Sequence, residues 1–289
     1  MVADLPPTLA GIGDEAGSEL GVQLDALAHL GWNTIELRTI DRKAVCELSA
    51  AELDVLATRL RERDMTVCCL SSNIGGWGRS TATPLTCDLE ELERLKPVAE
   101  ALGCSRVRVM SWQNADLHPR AWREDALTRM RALTDRAERL GLVLLHENCS
   151  GWGGQSSAAS LELVEAVASP NLRLLLDIGN CVAYGQDAVA FTNAILGSVE
   201  HVHVKDAVRR GGTAHFVTPG LGEARVADCL RLLRNGGYTG VLSVEPHLHA
   251  QPHLGRKASG DRALLDFLAC ARALATLVHG IWELPTGPI

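Results

Sequence analysis

The sequence lacks the features that mark secreted and membrane proteins. Its nine cysteines are scattered, and no two have the CxxC spacing. An odd number without a framework spacing favours free thiols in a cytoplasmic protein over a set of disulfides. The first fifteen residues have no basic stretch followed by an apolar core, so we expect no signal peptide. No apolar run approaches the roughly 18–20 residues of a membrane span, so we expect no membrane partner.

Basic clusters are missing as well. The net charge is −7, and the short stretch RRGG at 209–212 is not a long Lys/Arg block. Because the overall field of an acidic chain opposes DNA or RNA, we expect no nucleic-acid partner. The hydrophobic content of 46% is enough for a sizeable core and argues against wholesale disorder. These properties favour a globular protein that acts on a small molecule.

Short β-type stretches alternate with helical patterns throughout the chain. Several of these stretches are continuously apolar, as strands covered on both faces should be. Eight strand–helix units in a chain of 289 residues fit a closed barrel better than an open sheet. We therefore predict an α/β protein in which residues 1–289 form a single (β/α)₈ TIM barrel. The predicted strands are residues 8–13, 34–38, 66–72, 106–112, 142–148, 172–180, 199–206 and 240–246.

Strands five to eight end in residues that bind metals. Toward their carboxyl ends they carry Glu147, Asp177, His203 and Glu245, each of which follows an apolar run. The carboxyl ends of barrel strands form the active site, where three unpaired carboxylates would repel one another without a cation. Mostly carboxylate ligation with one His suits one divalent ion. Mn²⁺ is the first choice, and Mg²⁺, Co²⁺ and Zn²⁺ are compatible.

Strand seven offers two histidines, so a choice between them is needed. His201 and His203 lie two residues apart and face the same side of the strand. His203 is nearer the mouth and is the better ligand, whereas His201 suits a structural place in the barrel core. We expect Lys205 to point away from the site and Asp206 to orient His203 or to contact the substrate.

Other polar residues near strand ends have two interpretations each. Glu36 either binds substrate at the mouth or forms a strand-end salt bridge with Arg38. The histidines of the stretch HLHAQPH, which are His247, His249 and His253, are expected to be solvated loop residues rather than ligands.

Three tryptophans follow predicted strand ends. Trp77, Trp112 and Trp152 could together form an apolar wall or a stacking surface against a substrate ring. Each of them taken alone is compatible with simple packing at the rim. We keep Trp112 and Trp152 as candidate substrate-binding residues.

Several short motifs together resemble the xylose-isomerase-like barrel superfamily. They are LLHEN, LLLDIGN, HVHVKD followed by LGEA, and LSVEP. The superfamily includes sugar and sugar-phosphate isomerases and epimerases, inosose dehydratases and AP endonucleases. The resemblance implies a metal held by the four strand-end residues. It also implies that Glu147 and Glu245 are the catalytic acid/base pair.

The resemblance to the ketose epimerases includes one further residue and two departures. Arg209 lies six residues after His203, where those enzymes have a substrate-binding arginine. Asn180 replaces a histidine three residues after Asp177, and is a candidate substrate contact. Gly153 replaces a substrate-binding glutamate. These departures put a free ketohexose in doubt as the substrate.

The leading functional prediction is a metal-dependent isomerase or epimerase of a sugar, sugar phosphate or polyol-type hydroxyketone. A lyase or dehydratase acting on a keto-sugar or inosose shares the first step and is the alternative. A non-catalytic sugar-binding barrel is less favoured because both glutamates, Glu147 and Glu245, are present. An AP-endonuclease-like hydrolase is less favoured because the ends of strands two to four carry no histidine. The resemblance also suggests a homo-oligomer.

Overall fold

The computed structural model describes residues 5–249 and 261–282, and eight parallel strands form a closed barrel in it. Each strand pairs with the next along the chain, and the last pairs with the first. The predicted (β/α)₈ TIM barrel is thereby confirmed. The strands are β1 Thr8–Ile12, β2 Thr34–Leu37, β3 Thr66–Ser71, β4 Arg106–Ser111, β5 Val143–Gly151, β6 Leu172–Asp177, β7 Val199–Val204 and β8 Val241–Val244.

Helices follow the strands and cover the outside of the barrel. The side chain of Ser49 accepts a hydrogen bond from the Glu52 amide and completes the predicted capping box of α2. The sixth strand ends at Asp177, three residues before its predicted end, because a helix begins there. The helices are α1 Leu20–His29, α2 Ala50–Glu62, α3 Leu85–Leu102, α4 Pro119–Leu140, α5 Ser157–Val167, α6 Ile178–Ala183, α7 Ala188–Ile195, α8 Val226–Asn235 and α9 Arg262–Trp282.

The apolar core has two parts. The larger part lies between the barrel and its helices, and the smaller one includes Ala10, Cys68, Leu145 and Leu175. All nine cysteines are free, and eight of them are buried. The expectation of free thiols is confirmed, and the compartment stays a prediction.

The last helix is apolar enough and long enough to resemble a membrane span. The described part of α9 runs for 21 residues, and 39% of its most apolar window is buried. Phe267, Cys270 and Leu274 on its inner face are buried in the larger core. This packing explains the apolar face as that of a barrel helix.

A β-hairpin and a tight loop follow β7 at the mouth of the barrel. The hairpin pairs Asp206–Arg210 with Thr213–Val217. The Asp206 carboxylate accepts hydrogen bonds from the amides of Gly220, Gly222 and Ala224, at 2.9 to 3.1 Å. A Cβ on Gly222 would lie 2.2 Å from Asp206 Oδ1, so glycine is needed there. Asp206 is fully buried and holds the loop in place, so it contacts neither His203 nor the cavity.

Replacing Asp206 by Ala should therefore destabilise the fold. Three loop amides would lose their acceptor, and the free energy of unfolding should fall by about 2–4 kcal/mol. The measurement is denaturant unfolding. Asp228→Ala is the matched control, because that carboxylate is exposed and pairs with Arg225 and Arg231 on the surface. It should change stability by less than about 0.5 kcal/mol. An equal, small effect of both variants would contradict the structural role of Asp206.

Candidate metal centre and cavity

A cavity of about 550 Å³ opens at the carboxyl ends of the strands. Its volume is that of a typical small-molecule site. The wall combines cationic, acidic and aromatic side chains. They include Arg38, Arg79, Arg108, Lys205, Glu147, Glu245, Trp77, Tyr184, Phe216, Asn180 and His247.

The four strand-end residues predicted as ligands lie side by side, and two of them, Glu147 and Glu245, line this cavity. Glu147, Asp177, His203 and Glu245 are all buried, and each offers one ligand atom within 4.8 Å of the others. His203 Nδ1 lies 3.7 Å from Glu147 Oε1 and 3.7 Å from Glu245 Oε2. This nitrogen has no hydrogen-bond partner among the described residues. The donor set therefore fits a divalent cation that prefers oxygen with one imidazole.

Glu36 orients the imidazole of His203 from below. Its carboxylate lies 3.0 and 3.1 Å from His203 Nε2, 2.8 Å from His201 Nε2 and 2.6 Å from the hydroxyl of Ser71. Burial alone would lower the pKa of His203, but the charge of Glu36 raises it to about 10. A carboxylate on one ring nitrogen directs the other nitrogen toward the cation site, as in many metal centres.

The ammonium of Lys205 lies among the carboxylates. It is 2.5 Å from Asp177 Oδ2 and contacts Glu245 Oε2. The expectation that Lys205 points away from the site was wrong. Side chains two residues apart in a strand point to the same side, so Lys205 lies on the side of His201 and His203. Gly179 leaves room for the lysine stem, since a Cβ there would lie 2.4 Å from Lys205 Cγ.

The buried charges of this region are strongly acidic. Burial would raise the pKa of Glu147, but His203 and then Arg108 lower it to about 2. Burial instead raises the pKa of Asp177 to about 7, despite the opposing charge of Lys205. In total six buried carboxylates face three buried Lys/Arg side chains. They are Asp14, Glu15, Glu36, Glu147, Asp177 and Glu245 on one side, and Arg38, Arg108 and Lys205 on the other.

A second ionic group lies beside the four ligands. Arg38 contacts Asp14 at 2.7 Å, Glu15 at 2.5 Å and Glu245 at 2.8 Å. His247 is 3.3 Å from Glu15 and 3.1 Å from Glu245. The salt bridge between Arg38 and Glu36, one of the two alternatives for Glu36, is not among the ion pairs of the described residues.

The two loop histidines differ in environment. His247 is buried and lines the cavity, so the expectation that it is solvated was wrong. Its φ of +54° turns the backbone so that the ring faces inward after Pro246. The His249 side chain is 52% exposed and lies 2.7 Å from Asp266. His253 lies outside the described residues.

Two residues contact the Glu147 carboxylate besides His203. Asn180 Nδ2 donates a hydrogen bond to Oε1 at 3.1 Å, and Arg108 Nε lies 3.5 Å from Oε2. Asn180 also lines the cavity, which keeps it a candidate substrate contact.

Three other candidate substrate contacts lie away from the cavity wall. Glu36 is fully buried beneath His203, and Asp206 is held by the loop after β7. Arg209 is exposed, and its guanidinium donates to the carbonyls of Val182 and Gly212. None of the three belongs to the residues that line the cavity in the described structure.

The three tryptophans also differ in their position relative to the cavity. Trp77 lines the cavity, whereas Trp112 and Trp152 are buried elsewhere. Trp112 has a φ of +54°, and its indole N–H donates to Asp88 Oδ2 at 2.8 Å. Because this buried N–H needs an acceptor, the ring turns away from the cavity.

Sequence reasoning missed Asp14, Glu15, Arg79 and Arg108. Asp14 and Glu15 come directly after β1, for which no site residue was predicted from the sequence. In β4, Arg106, Arg108 and Met110 lie on the same side of the strand. The inward alternation of β4 was the available signal for Arg108.

Replacing Lys205 by Met tests its place among the carboxylates. Removal of the ammonium should lower the free energy of unfolding by about 3 kcal/mol in EDTA, because Asp177 and Glu245 lose a buried partner. Denaturant titration measures this. Lys43→Met is the matched control, because the Lys43–Glu52 pair is exposed. Its free energy of unfolding should change by less than about 1 kcal/mol. Equal stability of the two variants would contradict the buried contact.

Known proteins share this architecture. The inosose dehydratase of Lacticaseibacillus casei is 24% identical over 137 residues, which cover 42% of this chain and 46% of that protein. The chain thus matches less than half of that relative. The structure of the IOLI protein with a binding zinc atom is 18% identical, with a TM-score of 0.76 and coverage of 96% of this chain and 100% of that chain.

A second solved structure is the probable 3-DHS dehydratase AsbF of Bacillus anthracis. It is 16% identical, has a TM-score of 0.72, and covers 94% of this chain and 99% of its own. At such identities these likenesses show the fold alone. The model of one family, described as the xylose isomerase-like TIM barrel, matches residues 24–268. The chain belongs to the xylose isomerase-like TIM barrel family.

Proposed function

We propose that the protein is a divalent-metal-dependent enzyme that removes a proton next to the carbonyl of a small polyhydroxylated ketone. The observation that carries this proposal is the convergence of Glu147, Asp177, His203 and Glu245, of which Glu147 and Glu245 line the cavity. When bound, the metal would act as a Lewis acid that polarises the carbonyl oxygen. Its identity stays open, with Mn²⁺ as our first choice.

Glu147 is the better of the two candidate proton acceptors. It contacts Asn180 and, at a longer distance, Arg108. Glu245 contacts the cationic side chains of Arg38 and Lys205, and also His247. A carboxylate that neutralises several cations is a weaker base than one with fewer partners.

This asymmetry favours elimination of water over epimerisation. In an elimination, one carboxylate can take the proton from the carbon next to the carbonyl and pass it to the departing hydroxyl on the same face. The C–H and C–O bonds break, a C=C bond forms, and water leaves. We therefore favour a dehydratase, the alternative of the sequence prediction, and the likeness to an inosose dehydratase supports it.

Epimerisation is the second candidate function. It requires a second group that returns a proton to the opposite face, and Glu245 also lines the cavity. The same substrate class would serve both reactions. The cytoplasmic location and a homo-oligomeric state stay predictions.

Replacing Asp177 by Asn tests the metal centre directly. Affinity for Mn²⁺ or Zn²⁺, measured by calorimetry and elemental analysis, should fall more than about 100-fold, because an amide replaces an anionic ligand. Asp187→Asn is the matched control. Both aspartates cap a helix, α6 and α7 respectively, but Asp187 is exposed. Wild-type protein that binds no divalent metal would refute the proposed centre.

Replacing Glu147 by Gln tests the proton acceptor. The rate of deuterium uptake from D₂O next to the substrate carbonyl should fall by at least about 10²–10⁴-fold. A panel of inososes, ketoses and 3-keto-glycosides provides the substrates, and ultraviolet absorption reports an unsaturated ketone. Glu165→Gln, on the exposed face of α5, is the control.

The products then separate the two outcomes. A new ultraviolet band indicates elimination, whereas an inverted centre carrying one solvent deuteron indicates epimerisation. Full activity of the Glu147→Gln variant would remove Glu147 from the chemistry.

A further inference from the structure

We infer that the substrate carries a carboxylate and that Arg108 binds it. The inference rests on the function proposed above and names the substrate class more narrowly. It starts from the unequal pairing of the cations in the cavity wall.

Four Lys/Arg side chains line the cavity, and three of them each pair with two or more carboxylates. Arg38 contacts three carboxylates, and Lys205 lies between two. Arg79 pairs with Asp88 and Glu91. These contacts leave the three cations with little capacity for another anion.

Arg108 is different. Its side chain is only 7% exposed, and Glu147 is the one carboxylate within 4 Å of it in the described part of the chain. That contact is 3.5 Å long, and the Nε atom involved also donates to Ser71 Oγ at 3.3 Å. The two terminal amino groups make no hydrogen bond to any residue that the structure describes. These amino groups are not sealed in the interior, because Arg108 lines the cavity, and an anion bound there can accept hydrogen bonds from them.

The geometry of a guanidinium suits an anion with two oxygens that can accept side by side, which carboxylates and phosphates both offer. Its planar fork forms two parallel hydrogen bonds to a carboxylate, with directional specificity that an ammonium lacks. Arg108 can therefore bind one carboxylate through two hydrogen bonds, and the choice of carboxylate over phosphate depends on the rest of the site.

A phosphate is less well supported, for a reason that the fold supplies. Barrel enzymes often bind phosphate with loop amides after strands seven and eight. In this protein the amides of Gly220, Gly222 and Ala224 are occupied by the buried carboxylate of Asp206. An internal anion thus fills the loop after β7 where a phosphate could bind.

The position of Arg108 relates the carboxylate to the reacting ketone. Glu147 Oε2 faces Arg108, and Glu147 Oε1 faces His203 Nδ1 at 3.7 Å. Only the carboxylate of Glu147 thus lies between a ligand bound to Arg108 and the predicted metal. A cavity of about 550 Å³ holds both groups in one small molecule, with Trp77 and Phe216 beside it. The substrate class is a small hydroxyketone acid.

The experiment compares quinate with its carboxamide, which has nearly the same shape but is neutral and carries an NH2 donor in place of one acceptor oxygen. Their dissociation constants are measured by calorimetry, in EDTA and with Mn²⁺, so that binding of the acid to metal is separated from binding to arginine. In EDTA, the wild type should prefer quinate about 10–100-fold. In Arg108→Gln, the dissociation constants of quinate and its carboxamide should differ by less than about threefold. Arg108→Lys should retain part of the preference for quinate.

Arg106→Gln is the matched control. Arg106 lies on the same strand, but it is exposed at the other end and pairs with Glu200. Its ratio should equal that of the wild type. A purely structural role of Arg108 would weaken both probes equally and leave the ratio unchanged. Equal affinity of the wild type for the two probes, including no binding of either, would overturn the inference.

Turnover distinguishes failure of this inference from failure of the proposed function. Metal-loaded protein is assayed with 3-dehydroquinate as an acidic hydroxyketone and with 2-keto-myo-inositol as a neutral one. Preference for the neutral ketone would overturn the carboxylate inference and leave the proposed function intact. Proton exchange with neither ketone, together with no bound metal, would count against the proposed function. The quinate ratio would still test Arg108.

Discussion

The repulsion between carboxylates at the mouth of the barrel is the constraint on which the site depends. Parallel strands bring their carboxyl ends together, so acids that are far apart in the chain become neighbours. Glu147, Asp177 and Glu245 converge in this way and are all buried, although Glu147 and Glu245 still line the cavity. The folded protein needs positive charge near such a cluster to offset the repulsion.

The protein supplies part of that charge itself. Lys205 lies between Asp177 and Glu245, while Arg38 links Glu245 to the acids that follow β1. Burial still raises the pKa of Asp177 to about 7, despite the ammonium of Lys205 beside it. A divalent ion would complete the neutralisation. The same charge would make the site a Lewis acid, so the requirement of the fold and the proposed chemistry coincide.

Much of the fold could be predicted from the sequence. Apolar runs followed by amphipathic helices identify eight units, and the capping box at Ser49 and Glu52 follows from local hydrogen bonding. The ligand set was also accessible, because polar residues at the ends of apolar strands are few. Lys205 could have been placed by alternation, since it has the same parity as His203. His247 could not, because its inward direction depends on a positive φ and on the ring of Phe216 beside it.

The sequence by itself determined the order of the elements and the identity of the residues at the strand ends. Periodicity and capping are local properties, so they can be read from neighbouring residues. The tertiary structure alone decided the pairing of charges across the barrel. Glu36 and His203 are 167 residues apart, yet they are in contact. Arg108 could be identified as a candidate substrate-binding residue only from the tertiary structure. The structure shows that the other cations in the cavity wall pair with more carboxylates than Arg108 does.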